Sequence, residues 1–392
     1  MSDLYPVSDP LNFADVLTPA EQSAIRRLRA TLETKVKPLV NEYWARDEFP
    51  AQIVPDLVGL GMMNPTELVD AGETPGHLFA GFRTFELARC DTSIATFYNA
   101  VAGLFRATIT LGGSPEQVAA WDPLVQSFEM FGVFCLTEPE HGSDIARGLS
   151  TTATRNGDTW SINGAKRWIG GAGMANTLAV FARDTADGEV KVFLVPQDAP
   201  GVTLTKMEGK IALRIMQNFD IVLNDVRVSD DTRLANVNSF ADVARLLGNT
   251  RSIVAWIACG AMAGAYEAAV RYTTERDQFG KKIAHFQLVQ EKLAAMLANV
   301  TASLAMTVRL AQREAAGAYT DENSAMTKMF TSLKLRETVA LAREVAGGNG
   351  ILLEHDVARF FADAEAVYSY EGTHEINSLV VGRAITGKGA FV

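Results

Sequence analysis

Arg155-Asn156-Gly157-Asp158-Thr159-Trp160-Ser161-Ile162-Asn163-Gly164 (residues 155–164) decides the fold class. An Asn-Gly pair between short alternating segments is the strongest local signal for a tight hairpin, because the favoured two-residue turn needs positive φ at both central positions. Two such pairs, Asn156-Gly157 and Asn163-Gly164, predict strands on either side. Upstream, Val133-Phe134-Cys135-Leu136 reads as a short buried strand. Downstream, strands are predicted at residues 178–181, 190–195, 202–205 and 221–223. The region 131–239 is therefore expected to be an antiparallel β unit.

On both sides the period changes to that of a helix. From Thr18 to Trp121, Ile25, Leu28, Leu32, Val36, Leu39 and Val40 recur at three- and four-residue spacing. Thr18-Pro19-Ala20-Glu21 is a helix start, with a cap, a proline at the first helical position and a glutamate to close the box. Glycines and prolines between Gly59 and Gly81 predict a loop, and helix resumes at Phe82. The stripe Phe97, Tyr98, Val101, Leu104 and Phe105 is core by default, with substrate lining as the minority reading. After Phe240, residues 246–275, 284–317, 323–346 and 356–369 are Ala-rich and amphipathic, as in a bundle. The fold class is α+β in the order helix, sheet, helix. The domains are expected at 1–130 (N-terminal α-helical), 131–239 (middle β) and 240–392 (C-terminal helical bundle).

Composition narrows the function. The chain has 392 residues, with Lys plus Arg 36 against Asp plus Glu 46, a net charge of -10 and a pI near 5.1. No basic footprint for nucleic acid exists in such a balance. Cys90, Cys135 and Cys259 are scattered and odd in number, which implies neither a disulfide framework nor a zinc knuckle and suits a reducing cytoplasm. Met1–Pro10 lacks the features of a signal peptide, and the uncharged run between Arg251 and Glu267 falls short of a membrane span. No membrane association is expected. Gly389-Ala390-Phe391-Val392 is not a peroxisomal address.

Five local clusters carry candidate chemistry, and each has a plain structural alternative. In Tyr370-Glu371-Gly372-Thr373-His374-Glu375, Glu371 stands beside a glycine as a candidate base; alternatively Thr373 caps a last helix whose N-terminus favours Glu371 and Glu375. Leu136-Thr137-Glu138-Pro139 leads into His141-Gly142-Ser143-Asp144, a turn able to hold phosphates, although most such turns hold nothing. Lys166-Arg167-Trp168-Ile169-Gly170-Gly171-Ala172-Gly173 sets an aromatic plane beside a flexible backbone, with core packing of Trp168 the better reading in isolation. Arg276-Asp277-Gln278-Phe279-Gly280 closes a helix before His285-Phe286-Gln287, where a solvated arginine cap is the ordinary case. Gly347-Gly348-Asn349-Gly350 ends another helix, as a simple cap or as a close approach to a ligand. No G-x-G-x-x-G, P-loop or G-x-S-x-G pattern occurs, and His77, His141, His285, His355 and His374 have no ligand spacing, so no metal is expected.

Taken in this order, these clusters resemble the acyl-CoA dehydrogenase family over nearly the whole chain. Gly209-Lys210-Ile211-Ala212-Leu213-Arg214 and Gly382-Arg383-Ala384-Ile385-Thr386-Gly387 place the resemblance nearest the glutaryl-CoA dehydrogenases and the plant short-chain acyl-CoA oxidases. It implies an N-terminal helical domain, a middle antiparallel β-barrel-like domain and a C-terminal four-helix bundle. It also implies bound FAD and oxidation of an acyl-CoA thioester to its 2,3-enoyl form, as in fatty acid β-oxidation. By the resemblance, Glu371 takes the α proton. Leu136 and Thr137 meet the flavin edge, Trp168, Ile169 and Gly170 flank the ring, and Ser143 touches cofactor or CoA. Arg276, Phe279 and Gln287 of one subunit would meet a neighbour's FAD across from Glu344, Gly347 and Gly348, with Thr373, Glu375 and Phe391 completing the site. Arg251, Tyr370 and Gly372 belong to the substrate side, and Thr250 stands where some members keep their base. A homo-oligomer, a tetramer built from dimers, is implied. The electron acceptor is an electron-transfer flavoprotein for a dehydrogenase and O2 for an oxidase.

Three departures from the family pattern matter. Gly170 replaces a hydroxyl residue, which removes a hydrogen bond, is expected to open space beside the flavin and keeps oxidase chemistry in view. Ala95 replaces the arginine that pairs a glutaryl carboxylate, so a monocarboxylic chain is expected, and Phe97 and Tyr98 point to a short one. Glu344 puts an acid where many members have Gln. The presence of Glu371 argues against a flavin monooxygenase or nitroalkane oxidase on the same scaffold, and against a non-catalytic assembly subunit.

Overall fold

A computed structural model describes residues 4–389, the side chain of Asn249 excepted. The chain packs as two compact units. One comprises the residues through Thr96, Ile211–Ile215 and those from Arg251 on, and the other Phe97–Lys210 and Met216–Thr250.

In the first unit, α1 (Pro19–Thr31) starts at a complete capping box. Thr18 Oγ1 accepts from the Glu21 N–H, and the Glu21 carboxylate accepts from the Thr18 N–H. A π-helical turn, Leu32–Val36, carries the chain into α2 (Lys37–Arg46). Ile25, Leu28, Leu32, Val36 and Val40 of the predicted stripe are buried, and Leu39 is half-buried. α3 (Val54–Gly59), α4 (Thr66–Asp70), α5 (His77–Cys90) and α6 (Thr92–Asn99) follow. The expected loop at 59–81 therefore contains a short helix and the start of α5. Pro65 occupies the N-cap of α4, so the proline expected to break the helical period stands instead where a helix begins. Gly260 lies where an added Cβ would come 2.2 Å from the Phe85 carbonyl oxygen, so only glycine permits that approach to α5.

In the second unit the chain runs on through another π turn (Ala100–Phe105) into α7 (Arg106–Gly112), α8 (Pro115–Gln126) and the single turn α9 (Ile145–Gly148). Strands β1 (Gly132–Cys135), β2 (Thr152–Asn156), β3 (Thr159–Gly170), β4 (Thr177–Asp184), β5 (Val190–Pro196), β6 (Val202–Lys206) and β7 (Asn218–Ser229) form one sheet. Its order is β1-β4-β2-β3-β7-β6, with β5 also on β4. The sheet is mixed rather than purely antiparallel, since β1 and β2 both pair β4 in parallel. Neither is joined to β4 by a hairpin, and only a hairpin enforces the antiparallel sense.

Asn156-Gly157 makes the predicted hairpin, with Asn156 opposite Thr159. Asn163-Gly164 does not: it lies inside β3, where the register with β7 shifts. Gly164 has φ 152°, and a Cβ there would sit 2.5 Å from Thr151 Oγ1, so this glycine serves a bulge instead of a turn. Gly164→Val should lower stability by about 1–3 kcal/mol, read as an earlier urea midpoint, because the neighbouring contact includes backbone that cannot yield. Phe97, Tyr98, Val101 and Phe105 are buried, with Phe97 edge-on to Phe131 at 5.5 Å and Tyr98 tilted on Phe128 at 5.7 Å, so the stripe is core.

The C-terminal helices are α10 (Phe240–Glu275), α11 (Gln287–Ala315), α12 (Asp321–Val345), α13 (Val357–Ser369) and α14 (His374–Thr386). Residues Thr92–Gly112, α10 and α11 are long and apolar enough to cross a membrane on length and composition alone; 83% of the most apolar window of α10 is buried within the protein.

Candidate functional site

The corner between α13 and α14 carries the candidate base. Glu371 adopts φ 55° and Gly372 φ 83°. A left-handed glutamate is uncommon, and such strain costs on the order of 1–3 kcal/mol, held by the surroundings. Thr373 caps α14, its Oγ1 accepting from the Ile376 N–H at 3.2 Å, so the plain capping role predicted for it is real. The surrounding grip comes from two residues that the sequence did not single out. Lys328 Nζ donates to the carbonyls of Tyr368 (2.9 Å) and Gly372 (2.7 Å), and Asn377 Nδ2 donates to those of Gly372 (2.8 Å) and Thr373 (3.0 Å). Both side chains are fully buried. Burial pushes the Lys328 ammonium down to about 8, against the raising pull of Glu371.

The other residues predicted near the base are also placed. Arg251 is mostly buried and pairs with the Asp321 carboxylate at the start of α12. The Tyr370 hydroxyl is buried, which raises its pKa above the usual phenol value. Glu375 is exposed in the first turn of α14, where its own backbone N–H and the Thr373 side chain lower its pKa. Thr250 is buried on α10, its hydroxyl donating to the Leu247 carbonyl.

Elsewhere in the same unit, α10 ends in a two-residue hairpin. β8 (Asp277–Gln278) and β9 (Lys281–Lys282) flank Phe279 (φ 53°) and Gly280 (φ 78°). Both central residues of this turn require positive φ, and a phenylalanine in the first of them is sterically unfavourable. The result is a ring that is 93% exposed. Phe279 lines a pocket of about 410 Å³ together with Tyr272, Arg276, Phe286, Gly347 and Gly348. A Cβ added at Gly347 or Gly348 would meet nothing within 4 Å, so the glycines leave open space.

Within one chain the α10 hairpin and the turn after α12 border the same pocket, so Arg276 and Phe279 lie with Gly347 and Gly348 along it. Gln287 and Glu344 are exposed and are not among its lining residues. Glu344 pairs with Lys292 at 3.4 Å, which neutralises the unexpected acid. Phe391 lies outside the described residues.

The second unit holds the flavin-side candidates. Leu136 and Thr137 leave β1 with their carbonyls engaged, by Lys166 Nζ at 3.1 Å and by the Arg167 N–H at 2.8 Å. Beneath them Glu138 accepts from the Ser150 N–H and hydroxyl, the Thr151 N–H and Lys166 Nζ, all at 2.6–2.9 Å. Burial alone would raise the Glu138 pKa, but Lys166 and these donors override it and hold the carboxyl down to about 2. Ser143 is exposed in the following turn.

Trp168 is not core: it is 53% exposed, at φ 64°, where the register of β3 slips between Lys166 and Ile169. Its carbonyl accepts from Asn218 Nδ2 at 2.9 Å, while Ile169 is buried. The bulge turns the indole out, which alternation alone could not reveal. Gly170 does not open space as expected, because the Met216 Cε lies 2.5 Å from where its Cβ would be.

Among the described residues, three of the nine non-glycine residues at positive φ are Trp168, Phe279 and Glu371, each singled out from sequence on other grounds. Backbone strain of this kind clusters at active sites and ligand clamps. An exposed indole suits stacking on an isoalloxazine. The guanidinium of Arg276 beside a glycine pair suits a pyrophosphate, and the Phe279 ring suits an adenine. Each unit by itself therefore suits part of a flavin adenine dinucleotide, the second the ring and the first the adenine and pyrophosphate.

Comparison with known proteins agrees. The N-terminal, middle and C-terminal domains of acyl-CoA dehydrogenase match residues 18–129, 133–226 and 240–386. The human mitochondrial short-chain specific acyl-CoA dehydrogenase is 31% identical over 372 residues, covering 93% of this chain and 90% of the relative. A glutaryl-CoA dehydrogenase structure from Mycobacterium smegmatis superposes with a TM-score of 0.89 at 32% identity, covering 97% of each chain. A second glutaryl-CoA dehydrogenase structure from that organism, in complex with FADH2, gives 0.90 at 29% identity, covering 99% of this chain and 100% of the other.

Proposed function

Because the chain belongs to the acyl-CoA dehydrogenase family, FAD oxidoreductases acting on the CH–CH group of donors, we propose that it converts a short-chain monocarboxylic acyl-CoA to the trans-2-enoyl-CoA, with Glu371 as base. The observation that carries this reading is the strained, clamped Glu371 at the α13–α14 corner. Bound FAD supplies the acceptor for the hydride that leaves the β carbon.

The chain supplies the rest. A Glu371 carboxylate oxygen takes the α proton, and the backbone N–H of Glu371 is assigned to the thioester oxygen, where negative charge develops. Tyr370, Gly372, Arg251 and Ser143 are assigned to the acyl-CoA. Trp168, Ile169 and Gly170, with Leu136 and Thr137, hold the flavin ring. Arg276, Phe279, Gly347 and Gly348 hold the nucleotide end. A homotetramer in the cytoplasm, serving fatty acid β-oxidation and passing electrons to an electron-transfer flavoprotein, is part of the same proposal.

The monocarboxylic chain rests on position 95. Ala95 is fully buried and brings no charge, so a glutaryl carboxylate there would remain unpaired at a cost of several kcal/mol. A second reading, an oxidase using O2, is favoured by Gly170 alone and is weakened by Met216, which fills the room beside it.

Anaerobic stopped-flow with butyryl-CoA separates the readings. Bleaching of the yellow protein that persists after mixing with oxygenated buffer is the expected result. Fast recolouring with peroxide identifies the oxidase. Glutaryl-CoA should bleach it at least about 100-fold more slowly and yield no crotonyl-CoA, given the unpaired charge. No bleaching by any acyl-CoA defeats the assignment.

A further inference from the structure

Lys328 lies on the buried stripe of α12 formed with Ser324, Thr331, Ser332 and Leu335. A leucine or methionine would fill such a position without the cost of burying an ammonium. Instead the ammonium bonds to the carbonyls of Tyr368 and Gly372, one before Glu371 in the chain and one after it. Asn377 already grips the Gly372 carbonyl without any charge. What Lys328 adds is the second anchor, at Tyr368, and a positive charge. The ionisable groups that act on it are Glu371, Arg251 and Glu375.

We propose that Lys328 is a positioning residue for the base: it fixes the Tyr370-Glu371-Gly372 corner through two backbone carbonyls and favours the ionised form of Glu371 through its charge. The inference rests on Glu371 being the base. A neutral carboxyl cannot accept the α proton, and a nearby cation opposes its protonation at neutral pH. Burial lets this lysine lose its own proton near pH 8, so the charge and its help fade above that point.

Two readouts on the FAD-loaded protein test this. Hydrogen exchange over residues 368–373 needs no substrate. In Lys328→Met it should quicken roughly tenfold there while the rest of α12 and α14 exchange as in the wild type. The rate constant for bleaching by butyryl-CoA should fall roughly 30-fold through misplacement of the base, and its acidic limb should move to higher pH. Lys328→Gln, which keeps an N–H donor without the charge, should recover exchange protection but not the acidic limb. The wild-type profile should bend near pH 8 and both variants should lack that bend.

Unchanged exchange at the corner overturns the clamp, and an unmoved acidic limb overturns the electrostatic part. If Lys328→Met loses its FAD or its fold, Lys328→Gln carries the electrostatic test, and Lys328→Ala, which removes the donor with a smaller side chain, carries the exchange test. If the wild type is not bleached by any acyl-CoA, it is the assignment of Glu371 that fails, and the exchange data still decide whether Lys328 holds the corner.

Discussion

Glu371→Gln is expected to bind FAD normally, to stay yellow, and to be bleached by butyryl-CoA about 10⁴-fold more slowly than the wild type, the upper range for loss of a general base. The amide keeps the size and the hydrogen-bonding capacity of the side chain but cannot accept the α proton. Position and backbone conformation should survive, because Lys328 and Asn377 hold the corner through its backbone carbonyls and Thr373 caps the helix that follows. Acyl-CoA affinity, read from the charge-transfer or quenching signal at equilibrium, should change by less than about threefold, since nothing else at the corner is altered. A variant bleached at more than a tenth of the wild-type rate would show that another group removes the proton. Thr250, buried and donating to Leu247, has no basicity to offer.

Lys166→Met should cost about 3–5 kcal/mol, because it leaves the Glu138 carboxylate buried without its counter-ion. Glu138 and Lys166 are 3% and 0% exposed and 2.9 Å apart. For a unit of this size the loss corresponds to a melting midpoint lower by about 10 °C. FAD affinity should also fall, because the same ammonium holds the Leu136 carbonyl at the proposed flavin edge.

The pH dependence of this loss has a defined sign. Glu138 is held at about 2 against an ordinary 4.5, so its contribution is complete above pH 4.5 and is lost as pH falls towards 2. The difference between variant and wild type should therefore be largest near neutrality and shrink as pH falls towards 2, because Glu138 in the variant, raised by burial without its counter-ion, accepts a proton well before the wild-type carboxyl does. Replacing both residues, as in Lys166→Met with Glu138→Leu, should recover most of the stability, since a well-packed apolar pair replaces a buried ion pair at little cost. A deficit that stays constant from pH 7 to pH 3 would assign the loss to packing.

Much of this was legible along the chain. The capping box at Thr18, the hairpin at Asn156-Gly157, the buried aromatic stripe at 97–105 and the long helices after Phe240 are all local decisions, set by backbone preference and by the 3.6-residue period. The site clusters were legible too, because the chemistry of Tyr370-Glu371-Gly372-Thr373 and Arg276-x-x-Phe279-Gly280 sits in contiguous residues.

What the sequence misjudged depended on partners distant in the chain. Asn163-Gly164 has the local form of a turn, yet Thr151 and β7 make it a bulge. Trp168 has the residue type of a core and is turned outwards by a register slip against β7. Gly170 suggests vacant space, but Met216 fills it. Lys328 fell on a helical stripe and could have been noticed as a charge at buried spacing, but nothing in its neighbours announces that Tyr368 and Gly372 supply the acceptors.

The sequence by itself determined the order helix, sheet, helix, the candidate for the base and the residue types suited to a flavin nucleotide, because these depend on period and on local functional groups. Only the tertiary structure decided which side chains are displayed and which are buried, that one chain supplies both Arg276 and Gly347 to a single pocket, and what holds Glu371 in place. Those outcomes follow from strand register and from hydrogen bonds between segments far apart in sequence, whose energies no local window contains.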